Sequence, residues 1–346
     1  MIDLSELPLG ALWAVFFAAA GAVAWAGSKL AGVADRFADR TGLGEAVTGG
    51  VLLGIATSLS GITASVTAAA DGYASMALSN AMGGIAIQSV FLAVADLFLK
   101  GRNLEHAAAS PTNLTQAALL VLLLGMILLA TTGPQEPVTV LGVHAATPAI
   151  LLAYVLGMRV VVAVKAKPMW RPLRTTATVP DQPDSRNLHA SLPKLAILLI
   201  VLGLVVTLAG VTIARAGGQM VDRLDMDQSI VGGLFLAVST SLSELVTTVA
   251  AVRRGALMLA VGDIVGGNAF DVLFVCIADM AYRSGSLYGD ANRSDLFLVA
   301  LTLVINAVLM LGLLGRQQKG PAKIGWEGVL VIALYLGGFY LLATGF

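Results

Sequence analysis

Long apolar stretches alternate with short polar ones along the whole chain. Stretches of roughly 20 residues, the length that crosses a bilayer as a helix, begin near Pro8, Val47, Tyr73, Asn113, Thr147, Leu192, Ile230, Ala256, Asp295 and Trp326. This pattern predicts ten transmembrane helices and an all-α integral membrane fold.

The composition agrees with a chain that is solvated by lipid. Hydrophobic residues make up 57% of the sequence and charged residues 12%, whereas soluble domains carry about 25% charged residues. The formal net charge is zero and no basic block is present, so the bilayer is an expected partner and nucleic acid is not. The N-terminus, MIDLSELPLGALWAVFF, has no basic n-region, and we interpret it as a retained first helix rather than a signal peptide.

One polar segment, residues 165–194, divides the chain into halves. It is rich in Pro, Arg and Asp, a composition typical of a linker rather than a domain. We therefore predict a five-helix membrane unit at 1–164, a cytosolic linker at 165–194 and a second five-helix unit at 195–346.

The distribution of basic residues predicts the orientation of both units. Lys and Arg favour the cytoplasmic side of a membrane, and an outside N-terminus places about 16 of the 21 basic residues in inner loops. Because five spans precede the linker, the second unit enters from the opposite side, and the two units are predicted to be inverted. A chain of this length without a large cytosolic domain fits a prokaryotic inner membrane.

An internal repeat supports the inversion independently. Residues 49–96 align with residues 232–279 at a shift of 183 positions without a gap, and about 17 of 48 positions are identical. The identities include glycines and hydroxyl residues, so they are not a by-product of shared Leu and Ala content. With flanking residues the repeat cores cover 47–98 and 230–281. Inverted repeats are typical of secondary transporters whose site lies between the two copies.

Each copy contains the phrase Thr-Ser-Leu-Ser, and we expect a helix break there. Further expectations are a turn at Gly72 or Gly255 and a second break at the Gly-Gly pair that follows. Oxygen atoms freed at such breaks suit Na⁺ or Ca²⁺, which makes Thr57, Ser58, Thr240 and Ser241 candidate ligands. The alternative is that these hydroxyls bond to carbonyls of their own helices or join neighbouring helices.

Glu244 is the most informative single residue. A carboxylate within a span costs at least about 2.5 kcal/mol and requires a cation, a proton or a basic partner. Asp263, which aligns with Asn80 of the first copy, is the expected second carboxylate. These two acids are the predicted metal-binding pair.

Three further polar residues, Asn268, Asp271 and Gln88, are candidates for lining the pore or for interhelical hydrogen bonds. Asp96 and Asp279 lie near predicted helix ends, where solvated carboxylates are expected. The sequence shows no nucleophile paired with a base, no phosphate-binding loop and no Cys/His cluster. We therefore expect neither an enzyme nor a bound cofactor; the partners are transported inorganic cations.

The segments STSLSEL and GDIVGGNAFD together resemble the second α-repeat of the cation/calcium antiporter superfamily, the Na⁺/Ca²⁺ exchanger-like proteins. The motif of that family reads Gly-Thr-Ser-Leu-Pro-Glu-Leu and then Gly-Asn-x-x-Gly-Ser-Asn-x-x-Asn. The resemblance implies a Na⁺/Ca²⁺ exchanger-like fold and alternating access around a midplane cation site. It implies that the cation ligands are Thr57, Ser58, Asn80, Thr240, Ser241, Glu244 and Asp263, together with backbone carbonyls near Gly54 and Ala237.

The first copy departs from the family motif where it matters most. Gly61 stands in place of a glutamate, and Ile85 and Gln88 replace two asparagines. In both copies a serine, Ser60 or Ser243, replaces the proline of the motif. The two glutamates of the family are thus reduced to one, which weakens the case for Ca²⁺. Exchange of Na⁺ for Ca²⁺, exchange of a monovalent cation or Ca²⁺ for H⁺, and a non-transporting scaffold with this fold are all consistent with the sequence.

Overall fold

The computed structural model describes residues 4–41, 50–99, 103–133, 139–140, 143–170, 191–317, 320 and 324–345. Helices dominate, and a two-residue β-pair joins Thr139–Val140 (β1) to Val143–His144 (β2). The helices are α1 Leu9–Thr41, α2 Gly50–Ala70, α3 Ala74–Asp96, α4 Leu104–Ala108, α5 Pro111–Thr131, α6 Ala146–Ala166, α7 Leu192–Leu224, α8 Gln228–Ile230, α9 Ala237–Thr240, α10 Leu242–Arg253, α11 Leu257–Ala281, α12 Arg293–Gly315 and α13 Trp326–Thr344. A π-helical segment, Val231–Leu236, connects α8 to α9.

Eight of the described helices are long and apolar enough to cross a bilayer. A ninth span consists of Gln228–Thr240 and Leu242–Arg253, which meet at a 45° bend. In α2 the segment classed as apolar is Gly54–Ala70, which is shorter than a full span. The protein is therefore an integral membrane protein, the described residues contain eight or nine candidate spans, and the count of ten stays a prediction. Residues 171–190 of the predicted linker lie outside the described residues.

The shift of 183 residues extends beyond the repeat cores. Helix α1, Leu9–Thr41, and helix α7, Leu192–Leu224, both contain 33 residues and correspond end to end at this shift. At 1.5 Å per residue each is about 50 Å long, and the two pack against each other. Helix α3 is enclosed over almost its whole length, whereas α6 is largely exposed. The bundle therefore has an interior built around α3.

The predicted turns are present in both copies with the same geometry. Gly72 and Gly255 adopt φ values of 93° and 81°, a left-handed region that L-residues other than glycine rarely occupy. After each glycine, a backbone N–H reaches back five residues: Tyr73 donates to Ala68 and Ala256 donates to Ala251. Each copy thus ends its first helix with the same cap.

Contacts between the copies define the relative helix directions. On α2 and α11, Ser58 meets Asp271, and one turn later Gly61 meets Phe274. Residue numbers increase together along both helices, so α2 and α11 run parallel. Because α2 is the first helix of one core and α11 the second of the other, the two cores have opposite orientations.

Three of the four expected helix breaks are wrong. Helix α2 is continuous through Thr57 and Ser58, and α3 and α11 are continuous through their Gly-Gly pairs. The glycines serve close packing instead: a Cβ on Gly83 would overlap the backbone of Gly233, and one on Gly266 would lie 2.5 Å from the amide nitrogen of Gln116. The break that does occur is at Ser241, between α9 and α10.

Asp96 and Asp279 are buried rather than solvated, with 1% and 4% of their surfaces exposed. Asp96 Oδ1 accepts the backbone N–H of Leu104 at 2.7 Å, and Asp279 Oδ1 accepts that of Leu287 at 3.0 Å. In both copies the accepting aspartate lies eight residues before the donating residue. The hydrogen bond that attaches the loop after the helix to its aspartate is therefore conserved between the two copies.

Candidate functional site

A polar cluster lies where the two repeat copies meet. Asp271 on α11 accepts a hydrogen bond from Ser58 Oγ of α2 at 2.5 Å. Its other oxygen accepts a hydrogen bond from Gln88 Nε2 of α3 at 2.8 Å. Gln88 Nε2 also lies 3.4 Å from Ser241 Oγ, at the break between α9 and α10. We call Ser58, Gln88, Ser241, Glu244 and Asp271 the central cluster.

The central cluster is symmetric between the copies. At the shift of 183, Ser58 corresponds to Ser241 and Gln88 corresponds to Asp271. The contact of Ser58 with Asp271 therefore has its counterpart in the contact of Ser241 with Gln88, and the Gln88–Asp271 bond joins equivalent positions. The symmetry places an amide in one copy opposite a carboxylate in the other.

Glu244 supplies a second buried carboxylate beside Asp271. It lies in the first turn of α10, where the positive end of the helix dipole favours a negative charge. Its side chain is 7% exposed, and its Oε2 accepts a hydrogen bond from Ser243 Oγ at 2.9 Å. Glu244 is also close enough to Asp271 for the two carboxyl groups to interact electrostatically.

The two predicted threonines make a different kind of contact. Thr57 Oγ1 donates to the carbonyl of Gly54 at 3.1 Å, and Thr240 Oγ1 donates to the carbonyl of Leu236 at 2.9 Å. Thr240 also lies 3.3 Å from the carbonyl oxygen of Ala237. Both hydroxyls and both predicted carbonyl ligands thus take part in bonds within their own helices. Thr240 Oγ1 also lies 3.5 Å from Asn80 Oδ1 of the other copy.

Asn80 and Asp263, which correspond in the repeat, lie away from the Gln88–Asp271 bond. Asn80 Nδ2 donates to the carbonyl of Gly61 at 3.2 Å and to Ser65 Oγ at 2.8 Å, so it fastens α3 to α2. Asp263 is half-buried on α11, eight residues before Asp271 and thus about 12 Å away along the helix axis. Its role as a cation ligand stays a prediction.

Asn268 joins two helices. Its Nδ2 lies 3.3 Å from the carbonyl oxygen of Ile85 and 3.4 Å from Ser89 Oγ. Ser89 Oγ also bonds to Asn306 Oδ1 at 3.0 Å. These bonds connect α11, α3 and α12, which favours the interhelical interpretation of Asn268.

Phe274 occupies the space beside Gly61. A Cβ added to Gly61 would lie 2.5 Å from Phe274 Cε2, and the ring of Phe274 is 4% exposed. Gly61 corresponds to Glu244 in the repeat, and Phe274 corresponds to Phe91. The position that carries a carboxylate in the second copy is therefore filled in the first copy by an aromatic ring from α11.

Asp271 and Gln88 were candidates for lining the pore in the sequence, behind Asp263 and Asn80, yet their side chains bond directly to each other across the two copies. The repeat alignment contained the signal, because it pairs Gln88 with Asp271 and both types of side chain carry oxygen ligands. The cluster offers carboxylate, hydroxyl and amide oxygens in a buried place, the ligand set that hard cations such as Na⁺ and Ca²⁺ prefer.

Comparisons with known proteins assign this fold to a family of membrane antiporters. The chain belongs to the sodium/calcium exchanger protein family, whose sequence model matches residues 11–164 and 194–344. CaxA of Alkalimonas amylolytica is 26% identical over 328 residues, which cover 92% of this chain and 94% of that protein.

Two solved structures show the same fold. The H⁺/Ca²⁺ exchanger CAX has a TM-score of 0.68 at 14% identity, covering 96% of this chain and 82% of that chain. The sodium-calcium exchanger NCX_Mj has a TM-score of 0.60 at 17% identity, covering 96% of this chain and 99% of that chain.

Proposed function

We propose that this protein is a secondary active cation antiporter in which the central cluster binds the transported ion. The observation that carries the proposal is the direct bond between Gln88 and Asp271, at the contact of the two repeat copies. A buried carboxylate at that position, with Glu244 beside it, requires positive charge in the low-dielectric interior. A cation that enters from either side of the membrane supplies that charge.

The mechanism is alternating access between two inverted five-helix units. The parallel course of α2 and α11 supports the inversion, and the matching of α1 with α7 at the repeat shift supports the duplication. In this arrangement ten helices cross a prokaryotic inner membrane with the N-terminus outside. Residues 165–194 then connect the units on the cytosolic side.

On cation binding, side chains that donate hydrogen bonds to Asp271 become ligands of the cation. In the structure Ser58 Oγ and Gln88 Nε2 both donate to Asp271. Rotation of the Ser58 hydroxyl and of the Gln88 amide turns oxygen lone pairs toward the carboxylates, where a cation replaces the two donors. The Ser241 hydroxyl, at the helix break, is placed to follow the same change.

The two carboxylates of the central cluster suit one divalent or two monovalent cations. CAX, by its title, exchanges H⁺ and Ca²⁺, and NCX_Mj is titled a sodium-calcium exchanger. For this chain we propose Ca²⁺ as one exchanged ion, with Na⁺ or H⁺ as its counter-ion. Exchange of a monovalent cation for H⁺ is the second candidate, favoured by Phe274, which fills the place of a further carboxylate.

Uptake of labelled cations into proteoliposomes tests the proposal. We expect Ca²⁺ uptake by the full-length protein to depend on an outward gradient of Na⁺ or of H⁺, imposed in turn. Empty liposomes give the background. Gradient-driven uptake of Na⁺ or K⁺ without Ca²⁺ uptake would select the second candidate. If no cation gradient drives any uptake by folded protein, the antiporter proposal fails and a non-transporting scaffold remains.

A further inference from the structure

Three carboxyl groups come together at the end of the bundle where the linker begins. Asp96 closes α3, Glu105 lies in the short helix α4, and Glu327 lies in the first turn of α13. Asp96 is eight residues beyond Gln88, or about 12 Å farther along α3. The group of Asp96, Glu105 and Glu327, which we call the inner carboxyl triad, is thus separate from the central cluster.

The inner carboxyl triad is enclosed. Asp96, Glu105 and Glu327 are 1%, 6% and 0% exposed. A Cβ on Gly312 would overlap the Glu327 side chain, and one on Gly325 would overlap its carboxyl oxygens. The absence of side chains at both glycines leaves a space that the Glu327 side chain fills. The burial of Glu327 therefore depends on glycine at these two positions.

Carboxyl oxygens in the triad lack hydrogen-bond donors. Neither oxygen of Glu327 has a partner in the described parts of the chain, and neither does Glu105 Oε2. The Glu105 and Glu327 carboxyl groups nevertheless lie within hydrogen-bonding reach of each other. Two carboxylates repel, and such a contact becomes a hydrogen bond only when one carboxyl group carries a proton.

Within the described residues, basic side chains of the surrounding elements contact groups outside the triad. His106 of α4 contacts the backbone carbonyl of Arg316 at 3.1 Å, and the Arg316 guanidinium lies 3.9 Å from the ring centre of Trp170. Arg253, at the end of α10, lies over the ring of Phe98 at 4.5 Å.

Neutralisation by a described basic side chain or by a metal ion is not supported. The groups that act electrostatically on Glu105 are Asp96 and Glu327, both acidic. Within the described ranges, no group of three His, Cys, Asp or Glu residues has a geometry suited to a metal ion. Burial raises the pKa of Glu105, and the neighbouring carboxyls of Glu327 and Asp96 raise it further. Protons are the positive charge that this geometry accepts.

We propose that the inner carboxyl triad is a second, proton-binding site in which Glu105 and Glu327 share a proton at neutral pH. The shared proton bonds α4 to α13 and removes the repulsion between their carboxylates. The site is not part of the transport pathway through the central cluster, and it holds α3, α4 and α13 together at the linker end.

Infrared spectroscopy of the full-length protein tests proton occupancy directly. Protonated carboxyl groups absorb in a band that is distinct from that of carboxylates. We expect Glu105→Gln and Glu327→Gln each to reduce the protonated-carboxyl band at neutral pH. Glu6→Gln is the matched control, because Glu6 is exposed, and it leaves the band unchanged. An unchanged band in both triad variants would overturn the proposal.

Thermal unfolding supplies a second, independent measurement. Because the folded-state pKa of Glu105 is raised, its contribution to stability is fully present below the unfolded-state pKa and is lost as the pH rises toward the folded-state value. We expect the Tm of the wild type to fall toward alkaline pH, and Glu105→Gln to remove most of this fall, unlike Glu6→Gln. Equal pH dependence in all three proteins contradicts the proposal.

The same measurement separates protons from metal cations. At fixed pH, we expect Ca²⁺ and Na⁺ to change the Tm of the wild type and of Glu105→Gln equally. A Ca²⁺-dependent rise that Glu105→Gln abolishes would assign a metal ion to the triad and overturn the proposal. Gln resembles the protonated acid in shape and charge, so both triad variants are expected to fold. If both fail to fold at neutral pH while Glu6→Gln folds, the carboxyls are not held neutral and the proposal is wrong.

Discussion

Gln88 and Asp271 are separated by 183 residues in the chain, and the amide of one donates a 2.8 Å hydrogen bond to the carboxylate of the other. The same separation relates the two repeat copies, so the bond joins equivalent positions of the two halves. A transporter that alternates between two states needs an ion site that both halves share. We propose that this bond marks where such a site lies.

Asp271→Asn should severely impair cation exchange. The change preserves the shape of the side chain but removes one of two buried negative charges, and losing one partner of a buried charged pair costs about 3 kcal/mol, or roughly a hundredfold in affinity. We expect Asp263→Asn, the matched change two turns away on α11, to reduce flux but leave it measurable. Flux assays on both variants decide which aspartate belongs to the site. A greater loss of flux in Asp263→Asn than in Asp271→Asn would show that Asp263 is the cation ligand.

Gly61→Ala should destabilise the protein through a clash with Phe274. Overpacking of a buried contact costs typically about 1–3 kcal/mol, which lowers the Tm. Gly54→Ala on the same helix is the control, because an added Cβ there meets nothing within 4 Å. Equal Tm values for the two variants would show that the Phe274 side chain can move aside without a loss of stability.

The double variant Gly61→Glu/Phe274→Ala extends this test to ion selectivity. It removes the ring and restores a carboxylate at the position that corresponds to Glu244. A third buried negative charge favours divalent over monovalent cations, so we expect the preference to shift toward Ca²⁺. Competition between Ca²⁺ and Na⁺ in the flux assay measures the shift. No change in selectivity of a folded double variant would place position 61 outside the site.

The sequence predicted the positions of the helices more accurately than their internal geometry. Hydrophobic length is a property of the whole segment, and each of the predicted starts lies within three residues of a helix start in the structure. Helix breaks depend on local contacts. Gly83 was expected to break α3, but it allows the backbone of Gly233 to approach, a tertiary contact that composition does not reveal.

The candidate site shows the same limit. The sequence predicted Ser58 and Ser241 as candidate ligands from the recurrence of hydroxyl residues, and Glu244 because it is a carboxylate within an apolar span. The choice between Asp263 and Asp271 depends on which turn of α11 faces α2 and α3, and only the packing determines that. Nothing in the sequence indicated that Phe274 is important, because an aromatic residue in an apolar helix is common. Its role is visible only once the structure shows that it contacts Gly61.

Cysteine labelling tests the inverted topology. After Cys276→Ala, a cysteine at Asp71, in the turn after α2, should react with a membrane-impermeant reagent from outside. A cysteine at Arg254, the equivalent position of the second copy, should react only from inside. Both native residues are exposed, so reagent access within the turn is not limiting. Labelling of both positions from the same side would contradict the inversion.

Voltage dependence tests the number of charges in the central cluster. Glu244 and Asp271 are neutralised by one divalent or two monovalent cations, and an uncompensated charge in the low-dielectric interior is expensive. Exchange should therefore be electroneutral, and flux in liposomes should be insensitive to an imposed membrane potential. A potential dependence that corresponds to three monovalent ions per divalent ion would contradict the two-charge cluster.

The central claim is that Glu244, together with Asp271, holds the transported cation, and Glu244→Gln tests it most directly. Gradient-driven cation flux is measured in proteoliposomes with the wild type, Glu244→Gln and the exposed control Glu6→Gln, after size-exclusion chromatography and Tm confirm folding. An intramembrane carboxylate is a stability cost, so the Gln variant should fold. The account predicts wild-type flux for Glu6→Gln and loss of flux for Glu244→Gln. Wild-type flux through well-folded Glu244→Gln would contradict it.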